Sequence, residues 1–583
     1  MTSRNLLCLL AVTALLSLAG TSPVAVAQSA PADFVLLGGK VFTLDAKNTQ
    51  AQAVAIHEEK IVFVGSDEGA KAFIGPQTTV YRAEGRTVIP GLNETHVHPT
   101  GAAQGEVTQP FKQLHSIGEI QDWVREQAAK TPPGEWIRLP RVDVTRIKER
   151  RMPTPAELDA AAGERPAVFV WQYANRQLQV LNRAALKAAG ITRDTVPPKG
   201  GKIAKDAAGE PTGIIEDAAA LTSKFLPRKP VSNEEYLASL EKLLRLYNRC
   251  GITSITERGS SVEGWKTFRQ LQTQSRLPVR TTLTIRVGSD GTMAGTERFI
   301  AGLPFRFGEG DDWVKVGPLK IGVDGGVLYG TAYLREPYGP QSFDLYGLDD
   351  PSYRGLLQMD AEKVKNVIRT GHRLGWQMSS HVTGDAGVDM VLDAVEAANQ
   401  DSPITERRYT IIHGYFAHAD TAARAAKLGV VIDTQPAWFY KDGDALAAAL
   451  GTKRIEQFIG LKTWQDAGLK IALNSDHMQG FDPDLSLNPY NPFIALYTAV
   501  SRKTESGAIY GKEQAVSRQD ALRMLTSDAA YLHFDEKKKG TLEVGKLGDL
   551  AVLSGDYFNC PEEQIKKLHS LLTVVGGKVV YRE

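Results

Sequence analysis

An alternation of short buried strands with amphipathic helices limits this chain to very few architectures. Eight runs read as strands: one ending at His96, then residues 252–256, 279–285, 319–323, 376–381, 409–413, 430–434 and 471–476, most of them followed by helical sequence. One helix is marked at both ends. Ser232 and Glu235 form a capping box, Leu237, Leu240, Leu244 and Tyr247 recur at helical spacing, and Gly251 stops the helix just before the next strand. Eight strand-helix units predict an α/β fold with a closed parallel (β/α)8 barrel of the TIM type, in which reactive side chains sit where the strands end.

Both ends of the chain break the pattern. Residues 34–42, 53–57, 61–65 and 87–89 alternate apolar and polar side chains between Gly and Asp turns, and residues 548–553 and 572–581 form a matching set near the far end. Each set is too short to bury a core, so the two are expected to combine in one small β-sandwich domain made of residues 28–86 and 541–583. The barrel is expected at 87–103 and 232–540. The interval 104–231 is too long for a loop and holds its own strand-like run at 167–173, so it reads as a subdomain inserted beside the active-site face.

Residues 1–27 have a basic start, a short apolar stretch and an Ala-x-Ala site, the layout of a cleaved secretory signal peptide, which predicts a secreted or periplasmic protein. Its removal takes Arg4 and leaves basic and acidic residues equal in number, so no overall charge field favours nucleic acid, and no later apolar stretch favours a membrane. A small-molecule substrate is the expected partner, and a homo-oligomer is left open. Cys8 leaves with the leader, so Cys250 and Cys560 allow at most a minimal disulfide framework, and stability must come from the core.

The chemistry-bearing residues fall on predicted strand ends. His96 and His98 stand one residue apart, so a strand aims both imidazoles at one point, as a metal ion requires. Lys320, His381, His413 and Asp476 occupy four other strand ends, in a chain with only 11 histidines. Aromatic residues after strand ends, Tyr329 and Trp438 among them, suit an apolar substrate, with barrel packing as the alternative reading. His477, beside Asp476, is a candidate substrate contact or a capping group.

The runs Val88-Ile-Pro-Gly-Leu-Asn-Glu-Thr-His-Val-His98, Lys320-Ile-Gly-Val-Asp-Gly325, His381-Val-Thr-Gly-Asp385, Ile412-His413, Asn474-Ser-Asp476 and Gly545-Lys-Leu-Gly-Asp-Leu-Ala-Val-Leu553 resemble the metal-dependent amidohydrolase superfamily, most closely the branch called amidohydrolase family 3 or YtcJ-like hydrolases. The resemblance implies two divalent ions, best zinc, one held by His96 and His98 and the other by His381 and His413. It implies that Lys320 bridges them as a carboxylated lysine, and that Asp476 binds metal and takes the proton of the attacking water. The reaction implied is hydrolysis of a C–N bond in an N-substituted amide, formamide or N-acyl compound. Hydrolysis of a cyclic amide, carbamate or ester, deamination, and a non-catalytic binding barrel are the alternatives. Glu94, Gly330, Ala386 and Ile412 depart from the family pattern around the ligands, which leaves substrate preference open.

Overall fold

The structure is a computed structural model that describes residues 30–173, 176–226 and 229–583. The expected leader at 1–27, with Cys8, lies outside the described residues. Eight parallel strands run in chain order around one sheet: β1 Leu92–Val97, β2 Ile252–Ser260, β3 Arg280–Arg286, β4 Val314–Gly322, β5 Met378–Val382, β6 Thr410–His413, β7 Val431–Thr434 and β8 Lys470–Leu473. The two ends of the sheet meet through a parallel bridge between Val97 and His477, where the His98 N–H donates to the His477 carbonyl at 2.8 Å. This is the expected (β/α)8 barrel.

Helix α1, Asn233–Arg249, forms because its sequence satisfies both ends. Ser232 Oγ accepts from the Glu235 N–H at 3.2 Å, and the Glu235 carboxylate accepts from the Ser232 N–H at 2.9 Å. Leu237, Leu240, Leu243, Leu244 and Tyr247 turn one stripe toward the barrel, and each is buried. Gly251, at a φ of +82°, reverses the chain into β2.

Strands from both ends of the chain share one six-stranded sheet. Leu550–Leu553 lies antiparallel to Thr87–Pro90, which is parallel to Lys40–Phe42. A four-stranded sheet containing Phe34–Leu37 and Ala53–His57 packs against it through Phe34, Leu36, Val54, Ile56, Val88, Leu550 and Val574. The structure moves one expected boundary. Thr87–Pro90 belongs to this terminal sheet, and the chain enters the barrel at Gly91 instead of at residue 87. A Cβ at Gly91 would lie 2.2 Å from Thr253 Oγ1, so only glycine lets the chain pass so close to β2.

Residues of the interval after β1 build a five-stranded sheet of Ile137–Arg138, Ala167–Tyr173, Arg176–Leu181, Pro211–Glu216 and Lys202–Lys205. It is clamped to the barrel by Arg146, whose guanidinium reaches Asp442 at 2.7 Å, and by Thr145, which donates to the same carboxylate at 2.8 Å. Asp442 is fully buried on helix α2, Pro436–Leu450, so this ion pair fixes the insertion over the mouth of the barrel. Among the described residues no helix is long and apolar enough to cross a membrane.

Candidate metal centre

The pleat of β1 puts Glu94, His96 and, just past its end, His98 on one side. His96 Nε2 and His98 Nε2 lie 3.3 Å apart, and Asp476 Oδ1, beyond the end of β8, lies 3.3 Å from the first and 3.2 Å from the second. Lys320, near the end of β4, brings its Nζ to 3.3 Å from His96 Nε2. Next to this cluster, His381 on β5 and His413 at the end of β6 face each other, with Nδ1 of one 2.7 Å from Nε2 of the other, and the His413 ring centre lies 5.4 Å from that of His96. All six residues singled out as ligands line one cavity of about 270 Å³.

The outer hydrogen bonds fix which nitrogens are free. His381 Nε2 donates to the Gly325 carbonyl at 2.9 Å, which leaves its Nδ1 as a bare lone pair. The tautomer of His413 is set by a longer relay that starts at a carboxylate. Asn474 Nδ2 donates to Asp433 Oδ1 at 2.6 Å, Gln435 Nε2 donates to Asn474 Oδ1 at 2.7 Å, and Gln435 Oε1 then accepts from His413 Nδ1 at 2.8 Å. An acceptor-only carboxylate at one end forces each amide to a single orientation, and the proton of His413 onto Nδ1. Asp433 is itself held by the fully buried guanidinium of Arg258 at 2.5 Å and by the Thr95 hydroxyl at 2.5 Å.

Two bare imidazole nitrogens 2.7 Å apart repel unless a positive charge lies between or beside them. Asp476 Oδ1 poses the same problem, being buried without a hydrogen-bond partner while two imidazoles point at it. The donor set therefore fits divalent cations. Burial holds His96 and His413 well below the usual imidazole range, with Lys320 adding to the effect at His96 and His381 at His413, and pushes His381 down to about 4. Neutral imidazoles are what metal ligation needs. Burial also lowers Lys320 to about 7, opposed by Asp476, so its amine is available to capture carbon dioxide. His413 and Asp476 are non-glycine residues at positive φ, +78° and +51°, a conformation that costs about 1–3 kcal/mol each and persists where the surroundings hold the site.

The residues expected to touch substrate lie elsewhere. His477 is fully buried, with Nδ1 2.7 Å from the Tyr247 hydroxyl and Nε2 2.7 Å from the Gly480 carbonyl, so neither ring nitrogen is free for a ligand. Asp476 lines the cavity and His477 does not. Trp438 is buried behind His413, its ring centre 6.2 Å away and its indole N–H on the Ser475 carbonyl. Tyr329 donates to Asp143 at 2.7 Å and stacks on Tyr173 at 4.7 Å. It is Tyr173 of the insertion, with Arg286, Gln358 and Met478, that shares the wall with the six candidate ligands. Of these, Tyr173 had a sequence signal, as an aromatic residue at the end of the strand-like run in the insertion; the other three reach the cavity from loops and strand ends without one.

The amidohydrolase family model matches residues 79–581. An N-substituted formamide deformylase of Arthrobacter pascens is 26% identical over 94% of this chain and 98% of its own length. The putative amidohydrolase YtcJ of Bacillus subtilis (strain 168) is 27% identical over 94% of this chain and 99% of its own. Among solved structures, a metal-dependent hydrolase from Pyrococcus horikoshii OT3 superposes with a TM-score of 0.65 at 19% identity, covering 91% of this chain and 99% of its own, a likeness of fold. Since the family model spans nearly everything the structure describes, the strand ends that line the cavity included, the chain belongs to the amidohydrolase family.

Proposed function

We propose that this protein hydrolyses the C–N bond of an N-substituted amide, a formamide or N-acyl compound, using two zinc ions held by His96, His98, Asp476, His381, His413 and a carboxylated Lys320. The observation that carries the reading is the bare Asp476 Oδ1, within 3.3 Å of both His96 Nε2 and His98 Nε2 in a buried pocket. Bound divalent cations would acidify a water and polarise the amide carbonyl. Asp476 takes a proton from the attacking water at a carboxylate oxygen and returns it to the leaving nitrogen, which must depart as a neutral amine. His96 and His98 stay neutral throughout because burial disfavours their protonation. Gln435 and the Gly325 carbonyl keep the free nitrogens of His413 and His381 aimed inward. Tyr173 covers one side of the cavity and narrows the access of bulk water. The similarity to the Arthrobacter pascens deformylase supports a formamide or short acyl group on the substrate. The leader expected at 1–27 would deliver the enzyme to the periplasm or the exterior.

The test joins metal analysis to a substrate panel. Purified protein is expected to carry zinc by mass spectrometry and to release amine from at least one N-formyl or N-acyl compound, while His96→Ala loses both the metal and the turnover. A metal-free wild type that zinc does not activate would refute the assignment.

A further inference from the structure

The balanced charge of the whole chain hides a local asymmetry at the metal centre. Asp476 is the only carboxylate among the described residues lining the cavity, and none lines the adjoining cavity of about 380 Å³ that meets it at Tyr173. Cations are present in both. Arg141 in the adjoining cavity is already committed, bonded to the Tyr329 hydroxyl and set 4.0 Å from Asp143, and Arg138 also has a partner. Lys320 is taken up beside His96. Arg286 differs. It ends β3 in register with Lys320, its exposed side chain lines the same cavity as the six ligands, and its guanidinium makes no hydrogen bond or ion pair among the described residues. Arg286 thus presents a planar fork of donors to whatever enters.

We propose that Arg286 anchors a carboxylate of the substrate, so that the enzyme acts on amides bearing one acid group, such as N-formyl or N-acyl amino acids. This rests on the hydrolytic reading above and narrows it. One guanidinium pairs with one carboxylate through two parallel N–H···O bonds, which fixes orientation as well as charge. With the acid group on Arg286 and the ligands on the neighbouring strand ends of the same cavity, the scissile amide is turned toward Asp476. A neutral amide would have no such anchor.

The test compares N-formylphenylalanine with N-(2-phenylethyl)formamide, which lacks only the carboxylate, and repeats the pair with acetyl groups. Wild type is expected to favour the acid, and Arg286→Gln to lower the acid-to-neutral ratio of kcat/KM by ~10- to 100-fold, mainly through KM, as loss of a charged hydrogen-bonded pair predicts. Arg286→Lys should fall between the two. A ratio that Arg286→Gln leaves unmoved, with wild-type metal content and circular dichroism, overturns the assignment. If wild type cleaves none of the four compounds, the hydrolytic reading fails on its own, and calorimetric titration with phenylalanine, the acid product, decides the anion site. Binding that Arg286→Gln weakens supports it; equal affinity, or no binding to wild type, overturns it.

Discussion

Around β1 and β8, His96 Nε2, His98 Nε2 and Asp476 Oδ1 all lie within 4.8 Å of one another, a set of three donors complete in itself. Around β5 and β6 there are two, His381 and His413, and their aim depends on outer partners, a carbonyl on one side and the Asp433–Asn474–Gln435 relay on the other. The first half can hold a cation with the residues it has. The second would need a third ligand, for which the proposal offers Lys320: its amine lies 3.3 Å from His96 Nε2, and only its carboxylated form would offer oxygens to both halves. The two halves should therefore differ in affinity, and in how far they depend on residues that touch no metal.

The largest expected effect removes the ligand proposed to be shared. Lys320→Met should cost the second equivalent of metal by mass spectrometry while sparing the first, with a loss of turnover beyond the ~10- to 100-fold typical of outer partners. Equal loss from both halves would break the distinction. Next, Gln435→Leu takes away the acceptor that holds the His413 proton on Nδ1, and should weaken the second equivalent and turnover by ~10- to 100-fold with the first equivalent retained. Competition with a chelator, read separately for each equivalent, checks this.

The smallest effect concerns support of the first half. Burial raises Glu257 to about 8, and its carboxyl oxygen accepts from the Thr100 N–H, two residues past His98, at 3.2 Å. Its folded-state value lies above its unfolded one, so the wild type loses stability as pH rises from about 4.5 to 8. Gln does not titrate. The Tm of Glu257→Gln minus that of wild type should therefore grow across this window by ~1–3 °C, since a few kcal/mol is spread over the unfolding entropy of a long chain. A difference independent of pH would mean that Glu257 is ionised in the folded protein.

Much of this was legible in the sequence, for a physical reason. Barrel strands are short, buried and followed by helices, so their ends can be located, and His96, His98, Lys320, His381, His413 and Asp476 sit at those ends. What escaped depends on which strands become neighbours. Nothing near Gln435 or Asn474 in the chain says that they link Asp433 to His413, because the relay runs across the ends of β6, β7 and β8, which pair only in the folded sheet. His477 is adjacent to Asp476 in sequence, but its two ring nitrogens are taken by the Tyr247 hydroxyl and the Gly480 carbonyl, partners that the local sequence does not reveal. Arg286 carries no motif at all. The boundary shifts from residue 87 because Thr87–Pro90 and β1 follow each other with only Gly91 between them, and Gly91 separates them through a close approach to Thr253 that cannot be read locally.

The seam where the barrel closes joins β1 to β8, strands that belong to opposite ends of the sequence. Apart from the Val97–His477 bridge, it is tied by side chains: Glu94 accepting from the Ser475 N–H at 3.0 Å and Thr95 reaching the Leu473 carbonyl at 3.4 Å. A cation gripped by His96 and His98 from one side and Asp476 from the other would rivet that seam, so that stripping it should make the first and last staves of the barrel exchange their amide hydrogens sooner than the rest.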